Sequence, residues 1–259
     1  MKKKLSARAG YRSLLLAALV LASAQAGAAQ LIQNGGFEAD GFTYSPTAWS
    51  VAESWATGGV AVDSALTSHA SGWASAGAAS GNYYASLDAY SLGAYTLSQN
   101  FSTGAVSKAT LSFQMYVNDQ SDNGHAHVGS DLNTVAATAN GQDMYYARVD
   151  VLQAGADSFA TGANVLKSLY IGGATGRKYG MESNSYQTYS FDVSNVLASG
   201  GNYTLRFALA NNTTNQMQMG VDNVSLNVAA VPEPDSYALM LAGLGVMGAI
   251  IRRRNRHST

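Results

Sequence analysis

Residues able to do chemistry are sparse here, and their spacing narrows the choices. His125-Ala126-His127 would put two imidazoles on one face of an extended chain, with Asp119, Asp122 and Asp131 nearby, a set that could hold a transition metal. Two histidines without a third fixed ligand, in a small-residue loop, are more often simply solvated. Nucleophilic chemistry has little to work with. There is no cysteine, no Gly-x-Ser-x-Gly turn, no His-Glu-x-x-His and no glycine loop ending in Lys-Ser/Thr. Gly243-x-Gly245-x-x-Gly248 has the dinucleotide-binding spacing, but it lies inside an apolar run with no strand before it. Paired carboxylates for glycoside cleavage need only meet in space, and nothing in the spacing selects a pair.

Aromatic rings are the other resource, because their faces stack on the C–H surfaces of sugars. Trp49, Trp55, Trp73, Tyr83, Tyr84, Tyr90 and Tyr95 are the candidates. Core and edge packing would account for most of them. Trp73, in a Ser/Gly/Ala loop, is the best candidate for exposure and ligand binding, with packing as the equal alternative.

A different chemistry is written at the C-terminus. Val231-Pro232-Glu233-Pro234 holds two prolines that cannot join a helix interior and that bias the residue before each towards extended backbone. That makes a strip an enzyme can bind and cut. An apolar run from Tyr237 to Ile251 follows, 15 residues where a lasting span needs about 20. Arg252, Arg253, Arg254 and Arg256 then resist crossing a bilayer and keep the end cytoplasmic. The tail reads as a halt in export with a cuttable hinge outside.

The N-terminus agrees with export. Lys2, Lys3, Lys4, Arg8 and Arg12 precede an apolar stretch from Leu14 to Ala22. Ala24-Gln25-Ala26 and Ala26-Gly27-Ala28 both fit small-x-small cleavage by signal peptidase. The expected division is a leader at 1–28, a body at 29–230, and a tail at 231–259 with a transient transmembrane helix at 236–251.

With its two ends set aside, the chain changes sign. Five of the 15 basic residues lie in the leader and four in the tail, so between Leu31 and Ala230 six remain against 14 acidic ones, a net charge near −8. Such a body is a poor partner for nucleic acid or anionic lipid and suits divalent cations.

The elements that must position these groups are strands. Leu111, Phe113, Met115 and Val117 alternate with Ser112, Gln114 and Tyr116. The same period of two runs through 147–151, 203–209 and 224–228, each expected with one face in a core and one in water. Further strands are expected at 59–66, 82–88, 95–101, 165–171 and 187–193. Many strands between Gly/Asn/Ser turns, with no long amphipathic helix, imply an all-β antiparallel sandwich or jelly roll. The stretches 68–81 and 118–143 read as loops.

Two resemblances extend this. Val231-Pro232-Glu233-Pro234, the apolar segment and the terminal arginines resemble the PEP-CTERM sorting tail, also called the ice-binding protein C-terminal domain, of exported Gram-negative proteins. Asp235 stands where a small hydroxyl residue is more usual. The resemblance implies recognition by an exosortase, a membrane protease-transpeptidase that cuts near the Pro-Glu-Pro. It also implies a passing inner-membrane stage before the cell envelope, outer surface or matrix. In the body, Asn34-Gly35-Gly36-Phe37-Glu38, Gly81-Asn82-Tyr83-Tyr84, Leu97-Ser98-Gln99-Asn100-Phe101 and Gly220-Val221-Asp222-Asn223-Val224 resemble the galactose-binding-like jelly roll of carbohydrate-binding modules. That resemblance implies a structural calcium joining Glu38 to Asp222; the other reading makes both ordinary turn residues. Together they point to a non-enzymatic matrix or surface protein associated with exopolysaccharide. The alternatives are a glycan-acting hydrolase with an unrecognised carboxylate pair, or a purely structural matrix protein.

Overall fold

The computed structural model describes residues 28–55, 58–90, 92–119, 131–133, 139–141, 144–173, 182–213, 216–231 and 234–256. The leader, Asp122, the histidine pair at 125 and 127, and Pro232-Glu233 lie outside the described residues.

Among the described residues, eleven strands form two antiparallel sheets. The first runs β3 (Val60–Asp63), β4 (Tyr84–Ala89), β11 (Met217–Ala230), β6 (Val106–Asp119), β9 (Gln187–Asp192), with β1 (Ala29–Gln30) also pairing with β11. The second runs β2 (Ser50–Glu53), β5 (Gly93–Thr103), β10 (Gly201–Asn211), β7 (Tyr145–Gln153), β8 (Val165–Gly172). The sandwich expected from period-two alternation is thus present. Between the sheets the alternate apolar residues meet, among them Phe113, Met115, Val149, Leu205, Phe207, Met219 and Val221, all buried. Phe207 stands edge-on to Phe113 at 5.1 Å and also meets Trp49. A short helix α1 (Ser194–Leu197) caps one end through Leu197.

One expectation is corrected. The strands at 147–151 and 203–209 were to have a wet outer face, yet Thr204, Arg206, Ala208, Arg148 and Asp150 are buried too. The reason is a second layer. Leu132, Met144 and Phe159, from segments without periodicity, pack on Ala94, Tyr146, Ala208 and Ala210 outside the second sheet. The first sheet is roofed likewise. The Tyr84 hydroxyl donates to Ser75 Oγ at 2.8 Å, and Asn118 Nδ2 donates to Gln218 Oε1 and Ser183 Oγ.

Under the second roof lies a buried ion cluster. Arg148 grips Asp150 through Nε at 2.7 Å and Nη2 at 2.8 Å, and Arg206 Nη2 reaches the same carboxylate at 2.6 Å. Ser168 Oγ adds a bond at 3.0 Å. Arg206 Nη1 also donates to the carbonyls of Ser158 and Ala160, pinning the covering segment.

Separately from this body, a 23-residue helix α2 runs Pro234–Arg256. Among the described residues no helix is long and apolar enough to cross a membrane. A helix does cover 236–251.

Candidate functional site

Two places bring chemically active groups together. The first lies where the opening motif, the 79–83 loop and the start of the last strand's bulge converge. Asn34 and Phe37 take left-handed backbone (φ 47° and 58°), as does Asn223 (φ 53°). The turn is held by Phe37 N donating to Asn34 O, and Trp49 Nε1 donates to that same carbonyl at 3.1 Å. Phe37 is buried under Trp49, which leaves Glu38 pointing outwards.

Loop 79–83 then grips two carboxylates. Ala79 N and Ser80 N donate to Asp222 Oδ2 at 2.9 and 3.0 Å. Asn82 N and Tyr83 N donate to Glu38 Oε1 at 2.8 and 2.9 Å. Gly81, at φ +69°, sits between, and a Cβ there would stand 2.3 Å from Glu38 Oε1. Asp222 is fully buried. Burial pushes its pKa up, three amides pull the other way, and the Glu38 charge raises it further. The two amides of Tyr83 and Asn82 hold Glu38 below its ordinary value.

Glu38 and Asp222 are thus held by one loop, each through a pair of backbone amides. By donor type, two carboxylates suit a hard divalent cation such as calcium. Among the described residues no group of three or more His, Asp or Glu side chains is placed to hold a metal. The amide bonds equally account for both acids as clamps between the first and last strands.

The second place is aromatic. A concavity of about 820 Å³ is lined by Tyr44, Trp49, Ser50, Glu53 and Gly58. Phe42 is 52% exposed, Tyr44 50%, and Trp55, two residues beyond β2, 61%. Phe42 and Tyr44 meet edge-to-face at 5.2 Å, and the His69 ring lies edge-on to both. Glu53 Oε1 accepts from Val60 N at 2.8 Å, which fixes its side chain at the wall.

Trp73 is not the exposed ring the sequence suggested. It is half-buried, as are Tyr83 and Tyr90, while Trp49, Tyr84 and Tyr95 are core. Its loop folds back on itself, with Ser68 N donating to Trp73 O. Phe42, Tyr44 and Glu53 were not singled out, though Phe42-x-Tyr44, seven and five residues before Trp49, was a visible aromatic cluster.

His69 fastens this region from below. Its Nε2 lies 2.7 Å from Gly58 O and its Nδ1 3.3 Å from Asp63 Oδ2. Burial works to lower its pKa, but the Asp63 bond, the Gly58 carbonyl and the charges of Asp63 and Asp88 outweigh it, so the net shift is upward. A raised histidine pKa adds stability that is complete below its unfolded value of about 6.5 and disappears as pH rises through the folded value. The denaturant midpoint should fall across that interval, and His69→Gln should flatten the fall. An unchanged slope in the variant would remove His69 as its source.

At the end of the body, Val231 N donates to Ala105 O at 3.1 Å, and α2 begins at Pro234. Residues 230–254 match the PEP-CTERM protein-sorting motif. The match takes in Val231, Pro232, Glu233, Pro234, Arg252, Arg253 and Arg254, with Arg256 just beyond. The motif implies export and membrane-anchored sorting in Gram-negative bacteria, with processing by an exosortase. Leu241, Leu244, Val246 and Ile250 of the sorting helix are exposed.

No protein of curated function matches the chain. Among solved structures, the body is similar to TmCBM61 in complex with beta-1,4-galactotriose, at TM-score 0.42 and 11% identity over 76% of this chain and 97% of that one. It is also similar to the K3 cleaved adhesin domain of Lys-gingipain from Porphyromonas gingivalis w83, at 0.45 and 16% over 78% and 99%. The Stig cyclase Fisc from Fischerella sp. TAU matches at 0.45 and 16% over 79% and 100%.

Proposed function

We propose that this is a non-catalytic surface or extracellular-matrix protein, sorted by an exosortase, that associates with exopolysaccharide through its β-sandwich. Signal peptidase removes the leader. The sorting helix enters the inner membrane in passing, and the body ends at the outer surface or in the matrix. The observation that carries the glycan part is the concavity beside Phe42 and Tyr44: two large apolar rings stay in water where a core would have taken them in. A structural calcium between Glu38 and Asp222 would neutralise two acids and tie the opening motif to the last strand.

The hydrolase reading has less behind it. Glu53 is the one carboxylate lining the aromatic concavity. Asp131 and Asp157 share another hollow, but each accepts backbone amides of its own turn, from Leu132 and Asn133 and from Phe159.

Tyr44→Ala tests the binding role. The ring is exposed, so the unfolding midpoint should hold. Removing a ring central to an interface costs about 2 kcal/mol, roughly a thirtyfold rise in Kd for the retained glycan. Equal retention of the variant and the parent on immobilised exopolysaccharide would refute this site, and no retention of the parent on any glycan would refute the function.

A further inference from the structure

We infer that the Tyr44–Glu53 concavity selects glycans bearing free amino groups, such as partly deacetylated amino-sugar polymers, and turns away uronate-rich chains. This rests on the glycan-binding reading and specifies its ligand class.

Charge distribution is the first argument. The segment that builds this region, residues 29–93, contains Glu38, Asp40, Glu53, Asp63 and Asp88 and no lysine or arginine. All six basic residues of the body lie at Lys108 or later. The single histidine of the segment, His69, has its Nδ1 on Asp63 and its Nε2 on a carbonyl, so it offers no free cation to a ligand. A polyanion entering here meets a field of its own sign.

Geometry is the second. Glu53 is the charged group in the wall, and the Val60 amide holds it by Oε1 alone. Among the described residues Oε2 has no hydrogen-bond partner. It is half-buried, so water screens it less than a surface acid. An ammonium on a sugar ring supplies donors to Oε2. Tyr44, half exposed and lining the same hollow, is a ring on which the sugar and its cation can stack. A carboxylated sugar can give Oε2 only neutral hydroxyl donors and would bring two like charges together.

The experiment uses the processed protein recovered from an export-competent host and three immobilised polymers: chitin (neutral), partly deacetylated chitosan (amino) and polygalacturonate (uronate). The parent should bind chitosan about tenfold or more tighter than polygalacturonate, and the advantage should shrink in high salt. Glu53→Gln keeps the bond to Val60 N and removes the charge. It should cut the preference for chitosan over polygalacturonate by about tenfold. Asp157→Asn removes one charge from a different hollow and should leave the preference intact, which separates a local carboxylate from the overall negative charge. Equal binding to all three polymers, or equal effects of the two variants, would overturn the amino-sugar assignment while leaving glycan binding standing. Failure of the parent to bind any polymer would overturn both.

Discussion

Asp150→Ala should destabilise the body by on the order of 3–5 kcal/mol, read as a lowered denaturant midpoint. The residue is fully buried and is the counterion of two guanidiniums, Arg148 and Arg206. Removing it leaves both cations in a water-poor layer facing each other. Taking out all three charges together is less damaging if shape is kept. Replacing Arg148, Asp150 and Arg206 together by apolar residues of similar volume should recover much of the loss, because paired buried charges barely repay their desolvation. Recovery should be incomplete, since the triple variant also loses the Arg206 bonds to Ser158 and Ala160 that hold the outer segment. A single variant as stable as the parent would show that the cluster is not the support described above.

Asp222→Ala should rank next, at about 2–3 kcal/mol, because the amides of Ala79, Ser80 and Asn223 lose their acceptor at a buried place. The same variant tests the proposed calcium. In the parent, adding calcium should raise the melting temperature and a chelator should lower it. Asp222→Ala should lose that response entirely. Glu38→Gln separates the roles: its amide oxygen can still accept from Asn82 and Tyr83, so the fold should persist while the calcium response weakens. A parent indifferent to calcium and chelator would leave the acids as amide clamps alone.

Period-two patterning marked four of the strands, β6, β7, β10 and β11, and five more were expected in the stretches between turn residues. β1 and β2 escaped, since Ala29–Gln30 offers two positions and Ser50–Glu53 four, too few for alternation to show. Both outer layers escaped for a different reason. Segments such as 64–80 and 157–164 cover a sheet with single side chains and turn bonds, and that leaves no repeating pattern. A buried Asp150 and a solvated one look alike in a sequence reading Arg-Val-Asp-Val. The meeting of Glu38 with Asp222 came from resemblance to a known fold, not from spacing. The aromatic site shows the limit most plainly. Trp49 and Trp55 are equivalent as letters, yet one is 6% exposed and the other 61%, because only Trp49 lies beneath the turn made by Asn34–Phe37.

The strand order also sets a timetable. β11, which closes the first sheet between β4 and β6, is the last strand of the body and runs to Ala230, where the sorting motif starts. During N-to-C passage those two neighbours wait without the strand that joins them until the very end of the body has emerged. The strand that completes the sheet and the start of the sorting motif are therefore neighbours in the chain, and whatever separates them in time separates a finished fold from its address.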